Sequence, residues 1–203
     1  MSRIPELSAG RALEHGIGMM VDHGRGAGAK MYVGGQANAD VAAGTTTATS
    51  SAENEATEYT IPANTLVAGS TIRVRWCTAT SAVAGGTDNL IVRLRFGSNT
   101  TASSNTECAL STAVDQDDAN HFSVGDMLIQ IRTAGSSGTA VSWGTIADSD
   151  VIGSKLVSAQ FEPSFSVDTT VDNFVTITTQ FGNANANLAT TQGFVVDIVN
   201  PST

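Results

Sequence analysis

Two stretches decide the fold class: residues 71–78 read Thr-Ile-Arg-Val-Arg-Trp-Cys-Thr, and residues 90–96 read Leu-Ile-Val-Arg-Leu-Arg-Phe. Large apolar residues alternate with polar ones in both, as expected for a strand with one face on a core and the other in solvent. The residues predicted to point inward are Ile72, Val74, Trp76, Leu90, Val92, Leu94 and Phe96. Both stretches are therefore predicted to be strands of antiparallel sheets.

Similar segments follow the first two to the end of the chain. Strands are predicted at residues 59–62, 107–114, 126–132, 154–167, 171–181 and 193–199, with a shorter one at 141–146. Turn residues separate them, and no amphipathic helix intervenes. This spacing predicts an all-β fold, an antiparallel β-sandwich of the jelly-roll type with about eight or nine strands.

Residues 1–56 differ in composition from the rest of the chain. Glycines occur throughout this segment, and the low-complexity tract GTTTATSS lies near its end, at residues 44–51. Such a segment cannot bury enough apolar surface alone to offset the entropy lost on ordering. We therefore expect residues 1–56 to form an extended glycine-rich arm, either disordered or ordered against another surface, and residues 57–203 to form the sandwich domain.

The composition narrows the function classes. Charged residues make up 14% of the chain and the formal net charge is −9. This acidity disfavours a nucleic-acid partner, which is held by a surplus of Lys and Arg. The N-terminus has no apolar stretch typical of a signal peptide, and no apolar run is long enough to span a bilayer. We therefore expect a soluble protein with no nucleic-acid or membrane partner.

The cysteines are predicted to be reduced. Cys77 falls on the polar face of its strand with the arginines, whereas Cys108 shares the parity of Leu110. Residues on opposite faces are poorly placed for a disulfide, and two free thiols are consistent with assembly in a reducing cytosol.

One run resembles a known family. Residues 59–74 read YTIPANTLVAGSTIRV and follow a Thr/Ser/Glu-rich lead-in at residues 45–58. This run resembles a strand-turn-strand pattern that opens a jelly roll in structural proteins of tailed-phage virions. Residues 171–180, the Asn/Ala loop at 183–187 and residues 193–199 are similar to the last part of the same module.

The resemblance implies a structural role without catalysis. Relatives of this kind are head decoration or cement proteins, head fibres and appendage knobs, and they are usually trimeric. We therefore expect a homo-oligomer, a trimer, in the virion after assembly in the host cytoplasm, with the major capsid protein or another virion protein as its partner. The resemblance does not explain the arm, which suits a cement protein that grips neighbouring capsomers.

Arginines are the strongest candidates for an interface. Arg73, Arg75, Arg93 and Arg95 are four of eight arginines and lie at alternate positions of two successive predicted strands. Such a stripe is suited to docking acidic groups of a neighbour through charge-assisted contacts. The alternative is an ordinary solvated face with cross-strand partners such as Glu107 or Asp115. The remaining interface candidates lie in the arm: Arg11, Arg25 and Tyr32.

No catalytic residue, metal site or cofactor is predicted. The acidic run at residues 115–118 fails the EF-hand pattern and is typical of a solvated turn. His15 and His23 have no third ligand at metal-site spacing, and His121 near Ser123 and Asp126 is not a triad. A glycoside hydrolase requires two converging carboxylates, and no such pair is evident.

Carbohydrate is the alternative ligand. The loops predicted at residues 97–105, 135–144 and 183–187 are suited to forming a glycan-binding end of the sandwich. Trp143 is then a loop aromatic that stacks on a sugar, or else an aromatic that caps the core.

Overall fold

The computed structural model describes residues 37–40, 46–48, 51–81, 89–111, 114–115, 122–151, 154–182 and 188–199. Within these ranges the chain forms twelve strands and one short 3-10 turn at Ala102–Ser104. The strands are β1 (Ala37–Asp40), β2 (Thr46–Ala48), β3 (Asn54–Ile61), β4 (Thr71–Ser81), β5 (Asn89–Gly97), β6 (Thr106–Leu110), β7 (Val114–Asp115), β8 (Phe122–Thr133), β9 (Gly138–Val151), β10 (Ser154–Val167), β11 (Asn173–Phe181) and β12 (Leu188–Val199).

The strands form two antiparallel sheets that pack face to face. Sheet A has the order β1-β12-β4-β8-β9-β10, and β2 also pairs with β12. Sheet B has the order β3-β11-β5-β6, and β7 also pairs with β5. From β3 onward the chain passes between the sheets at the β3–β4, β4–β5, β7–β8, β10–β11 and β11–β12 connections. The prediction of an all-β antiparallel sandwich is confirmed.

The inner faces of the two sheets form one core. Ile72, Val74 and Trp76 of β4 are buried as predicted, and so are the four apolar residues of β5. The same core holds Met127, Ile129, Val175, Ile177, Phe194, Val196 and Ile198 from the neighbouring strands. Trp76 lies opposite Gly125, where a side chain would collide with its indole ring. A glycine inside β8 is thus explained by a large aromatic on β4.

The turn within residues 59–74 requires particular residue types at several positions. Asn64 and Gly69 have positive φ angles, which Asn and Gly tolerate best. Leu66 is buried in the core, and the Ser70 hydroxyl accepts a hydrogen bond from the Val67 amide at 2.9 Å. Residues 59–74 therefore connect β3 of sheet B to β4 of sheet A through a turn with a buried anchor.

The strand count departs from the predicted eight or nine in two places, and one predicted strand is longer than expected. Two short strands, β1 and β2, lie inside the predicted arm and pair with β12, while β3 begins at Asn54. The segment predicted as one strand at 107–114 is divided into β6 and β7. The predicted strand at 141–146 is the middle of β9, which extends from Gly138 to Val151.

Two β-bulges overturn predictions based on strict alternation. In the predicted strand at 154–167, strict alternation places Phe161, Phe165 and Val167 on one face, but the register of β10 shifts between Glu162 and Phe165. Phe161 is therefore 70% exposed, whereas Phe165 packs edge-on against Phe96. A second shift between Leu94 and Arg95 makes Cys108 the extra residue of β6. Cys108 is buried and Leu110 exposed, so the prediction that they share a face is wrong.

Candidate interaction surface

The two pairs of arginines lie on opposite outer faces of the sandwich. Arg73 and Arg75 belong to β4 in sheet A, and Arg93 and Arg95 belong to β5 in sheet B. All four side chains point away from the core, as predicted. The prediction of a single stripe is wrong, because the connection between β4 and β5 passes from one sheet to the other.

On sheet B the arginines are held in a network of carboxylates. Arg95 donates two hydrogen bonds to the carboxylate of Glu53, at 2.9 and 2.8 Å. Glu107 lies 3.0 Å from Nε of Arg93 and 3.2 Å from Nη2 of Arg95. Both arginine side chains are 13% exposed. Glu107 is the cross-strand partner that the alternative interpretation named, but the face is not solvated as that interpretation expected. The side chain of Asp115 lies outside the described part.

The same network covers the outer side of β11. Thr176 and Thr178 are almost completely buried although they point away from the core. The Thr178 hydroxyl donates to Glu53, and the Thr176 hydroxyl donates to Glu58 at 3.2 Å. Burial acts to raise the pKa of Glu53, but hydrogen bonds from Arg95 and Thr178 and the positive charges of Arg95 and Arg93 hold it below its ordinary value. The arginines and carboxylates on the outer face of sheet B are thus paired with one another, while Nη1 of Arg93 is buried without a hydrogen-bond partner among the described residues.

On sheet A the arginine pairs are open to solvent. Arg73 forms a two-point ion pair with Asp126, and the two side chains are 45% and 43% exposed. Arg75 lies 3.3 Å from Asp197, with 47% of the arginine side chain exposed. The hydrogen bond from Arg73 outweighs burial and keeps the pKa of Asp126 below its usual range. These guanidinium groups have donors available for a further partner.

An apolar row lies beside these ion pairs on sheet A. Leu128, Trp143 and Phe161 occupy matching positions on the adjacent strands β8, β9 and β10. Trp143 is 37% exposed, and Phe161 is the most exposed large apolar residue among those described. We call these three residues the apolar row. Apolar residues exposed in register on neighbouring strands are typical of a surface that binds another surface.

The position of Trp143 corrects a prediction. The predicted loop at residues 135–144 overlaps the predicted strand at 141–146, and the structure has a strand here, since β9 begins at Gly138. Trp143 therefore lies within a strand, and its side chain neither caps the core nor belongs to a loop at the end of the sandwich.

Two predicted loops meet at one end of the sandwich. Asn99 and Asn105 close the loop at residues 97–105, since each exchanges a hydrogen bond of 2.9 Å with the other. This loop, Ser136 and Asp168 line a pocket of about 250 Å³. Hydrogen bonds from Thr170 lower the pKa of Asp168, which is ionised near neutral pH. The pocket is therefore polar and negatively charged.

Several predicted residues lie outside the described part of the chain. These are Arg11, Arg25, Tyr32, the three histidines, residues 116–118 and the loop at 183–187. Within the described ranges, no three His, Cys, Asp or Glu side chains are grouped as a metal site. The same ranges contain no helix of the length and apolarity needed to cross a membrane.

Sequence reasoning missed the acidic partners and the apolar row. Glu53 was assigned to the arm, and its pairing with Arg95 spans 42 residues, so no local spacing indicates it. Trp143 was expected to stack on a sugar from a loop or to cap the core, and strict alternation placed Phe161 on the face of Phe165. The strand predicted at residues 141–146 contained Trp143, but the bulge in β10 that exposes Phe161 has no comparable signal in the sequence.

Comparisons with known proteins add little to this geometry. No protein-family model matches the chain, and no curated protein matches it. Among solved structures, an alginate lyase from Alteromonas sp. 272 is similar over 69% of this chain and 78% of that chain. The identity is 10% and the TM-score is 0.25, so this likeness carries no argument about function.

Proposed function

We propose that this chain is a non-enzymatic structural protein of a tailed-phage virion, a decoration or cement protein that binds and stabilises the head. The sandwich acts as the rigid body, and the N-terminal arm contacts adjacent subunits of the major capsid protein. The oligomer is a trimer of this chain.

The observation that carries the proposal is the structural fit of residues 59–74. The resemblance predicts a strand, a turn and a strand that open a jelly roll, and the chain passes here from β3 in sheet B to β4 in sheet A. The unusual residues of the run each have a local role, with Asn64 in a left-handed turn and Leu66 in the core. The local roles of Asn64 and Leu66 in this connection support the proposal.

The attachment of the arm supports the same proposal. Strands β1 and β2 hold residues 37–40 and 46–48 against β12, at one edge of sheet A. The 36 residues before β1 are therefore tethered to the sandwich at a defined place. A tethered segment that orders on binding spreads contacts over a wide surface, as a cement protein requires.

Co-sedimentation with phage heads tests the proposal. The probe is the purified full chain mixed with decoration-free heads of the phage that encodes it, and the measured quantity is bound protein per head. We expect saturable binding. The double variant Arg11→Glu/Arg25→Glu should bind about tenfold or more weakly, because two charge-assisted contacts of the arm become repulsive.

The comparison variant is Arg75→Glu, which changes a charge on the candidate face of sheet A rather than on the arm. If this variant loses binding and the arm variant keeps it, the arm model is wrong. Absence of binding at every protein concentration overturns the decoration role itself.

A second candidate function is carbohydrate binding by an appendage knob. The polar pocket between Asn99, Ser136 and Asp168 favours it, because it joins two of the three loops predicted to bind a glycan. This function is supported instead if the protein does not bind phage heads but binds specific sugars on a glycan array. The sugar binding should be lost in the variant Asn99→Ala.

A further inference from the structure

The outer side of β9 and β10 carries no charged side chain in the described stretches 139–147 and 158–161. The outward positions alternate with Ala140, Ser142 and Ile146, which are buried. They are occupied by Val141, Trp143, Thr145 and Ala147 on β9 and by Ala159 and Phe161 on β10. This part of sheet A therefore presents apolar and hydroxyl-bearing side chains to solvent.

Strand β8 continues this surface on the other side of β9. Phe122 and Val124 are exposed on it, and Leu128 belongs to the apolar row. Asp126 is the charged outward residue between positions 122 and 130, and Arg73 neutralises it through their ion pair. We call the outer surface of residues 122–130, 139–147 and 159–161 the neutral face.

The charge of the chain decides where a second copy can approach. The formal net charge is −9, so copies repel one another unless they meet through surfaces of little charge. On the outer face of sheet B the carboxylates of Glu53, Glu58 and Glu107 outnumber the two arginines. The neutral face avoids this repulsion and is the better contact of the two.

A contact between identical copies adds a second requirement. Near a symmetry axis a residue meets its own copies, so a charged residue there meets the same charge and weakens the contact. Trp143 and Phe161 would instead bury aromatic surface against one another. An unlike partner is commonly selected by complementary charge, which the outward positions of β9 and β10 in the neutral face do not offer.

The surface that includes the neutral face is large enough for a specific contact. Strands β8, β9 and β10 have 12, 14 and 14 residues. With about 4.8 Å between strands and about 3.3 Å per residue, they form a face about 14 Å wide and about 40 Å long. Its flat area of about 560 Å², which protruding side chains increase, is comparable with the roughly 800 Å² that each partner buries in a standard interface.

We propose that copies of this chain associate through the neutral face, with Trp143 and Phe161 buried between them. This inference rests on the homo-oligomer of the proposed function and names its contact surface, but it is independent of the virion role. Arg75 and Cys77 of β4 lie beside the contact and stay in solvent.

Light scattering of the purified full chain, without phage heads, tests the contact. We expect an oligomer that dissociates on dilution. The variant Phe161→Glu should weaken the association by about a hundredfold or more, because it brings like charges together in a contact that excludes water. Phe161 is exposed in a single chain, so the variant keeps the fold, and denaturant unfolding verifies this.

The matched control is Leu110→Glu. Leu110 is also an exposed apolar residue of a strand, but it lies opposite Arg93 on the outer face of sheet B. This variant should associate as the parent does. Equal weakening by both variants, no weakening by Phe161→Glu, or a parent that is monomeric at every concentration overturns the proposal.

Acrylamide quenching of tryptophan emission shows whether the contact covers Trp143. Trp76 is buried in the core, so a change in quenching on dissociation reports on Trp143. The quenching constant should rise about twofold or more when dilution dissociates the oligomer, because the centre of a contact excludes solvent. Constant quenching while the mass falls places the contact elsewhere and overturns the proposal.

The outcome is separable from that of the head-binding experiment. Association through the neutral face without binding to heads leaves this inference standing and removes the decoration role. A monomer that binds heads removes this inference and leaves the decoration role standing.

Discussion

The outer faces of the two sheets have the same arginine pattern but differ in how far the arginines are buried. Each carries two arginines at alternate positions of one strand. On sheet B the arginine side chains are 13% exposed and bonded to Glu53 and Glu107. On sheet A the arginine side chains are nearly half exposed, and the apolar row lies beside them.

The difference shows that burial, rather than the arginine pattern, decides what such a face does. A charge withdrawn from water must be bonded inside the fold, and removing one partner leaves the other uncompensated. A charge that stays in water contributes little to stability and remains available to a partner. The face of sheet B is therefore structural, and the face of sheet A is the candidate for interaction.

Replacing one arginine on each face should give the largest contrast. Arg95→Met leaves Glu53 buried beside an uncharged side chain of similar length, and we expect the free energy of unfolding to fall by about 3 kcal/mol. Arg75→Met removes an exposed pair and should lower it by about 0.5 kcal/mol or less. Denaturant unfolding of both variants measures the two values, and equal losses would contradict the distinction between the faces.

The pH dependence of stability should single out Glu53. Its folded-state pKa lies below its ordinary value of 4.5, so its stabilising contribution is complete above pH 4.5 and is lost as the pH falls through the folded pKa. Glu53→Gln should lower the free energy of unfolding by about 2 kcal/mol at pH 7, because the hydrogen bonds to a charged partner are weakened while Glu107 still faces Arg95. The difference from the parent should shrink below pH 4.5.

Glu55→Gln is the matched control. Burial, followed by the charge of Glu58, raises the pKa of Glu55, so its ionised form is disfavoured in the fold. This variant should be as stable as the parent at pH 7, or more stable. A loss of stability at neutral pH equal to that of Glu53→Gln would show that the two carboxylates are not distinguished by Arg95.

The fold could be predicted wherever strict alternation holds. Val74 and Leu94 are buried and Arg73 and Arg93 face outward, because the side chains of a regular strand alternate. The prediction failed at Phe161 and Cys108, where one extra residue in a bulge reverses the parity of the residues on its two sides. Such an insertion depends on the neighbouring strand and has no local signature in these segments.

The candidate surface was predictable only in part. The spacing of the arginines predicts that their side chains face outward. Their division between two outer faces depends on a connection that passes from one sheet to the other. Glu53 and Asp197 become partners only through strand order, which one sequence does not contain.

The smallest expected effect concerns the thiols, which lie one on each sheet. Burial raises the pKa of Cys108 to about 12, so the thiolate fraction at pH 8 is about a thousandfold below that of a thiol with the ordinary value of 9.0. Burial also raises the pKa of Cys77, but this residue is only half-buried on the outer face of β4. A neutral thiol reagent should therefore modify the native chain once, at Cys77, and a second time only after unfolding, as followed by intact mass. Cys77→Ser should abolish the first modification, and two modifications at equal rates in the native chain would show that the edge of sheet B at β6 opens as readily as the face of sheet A.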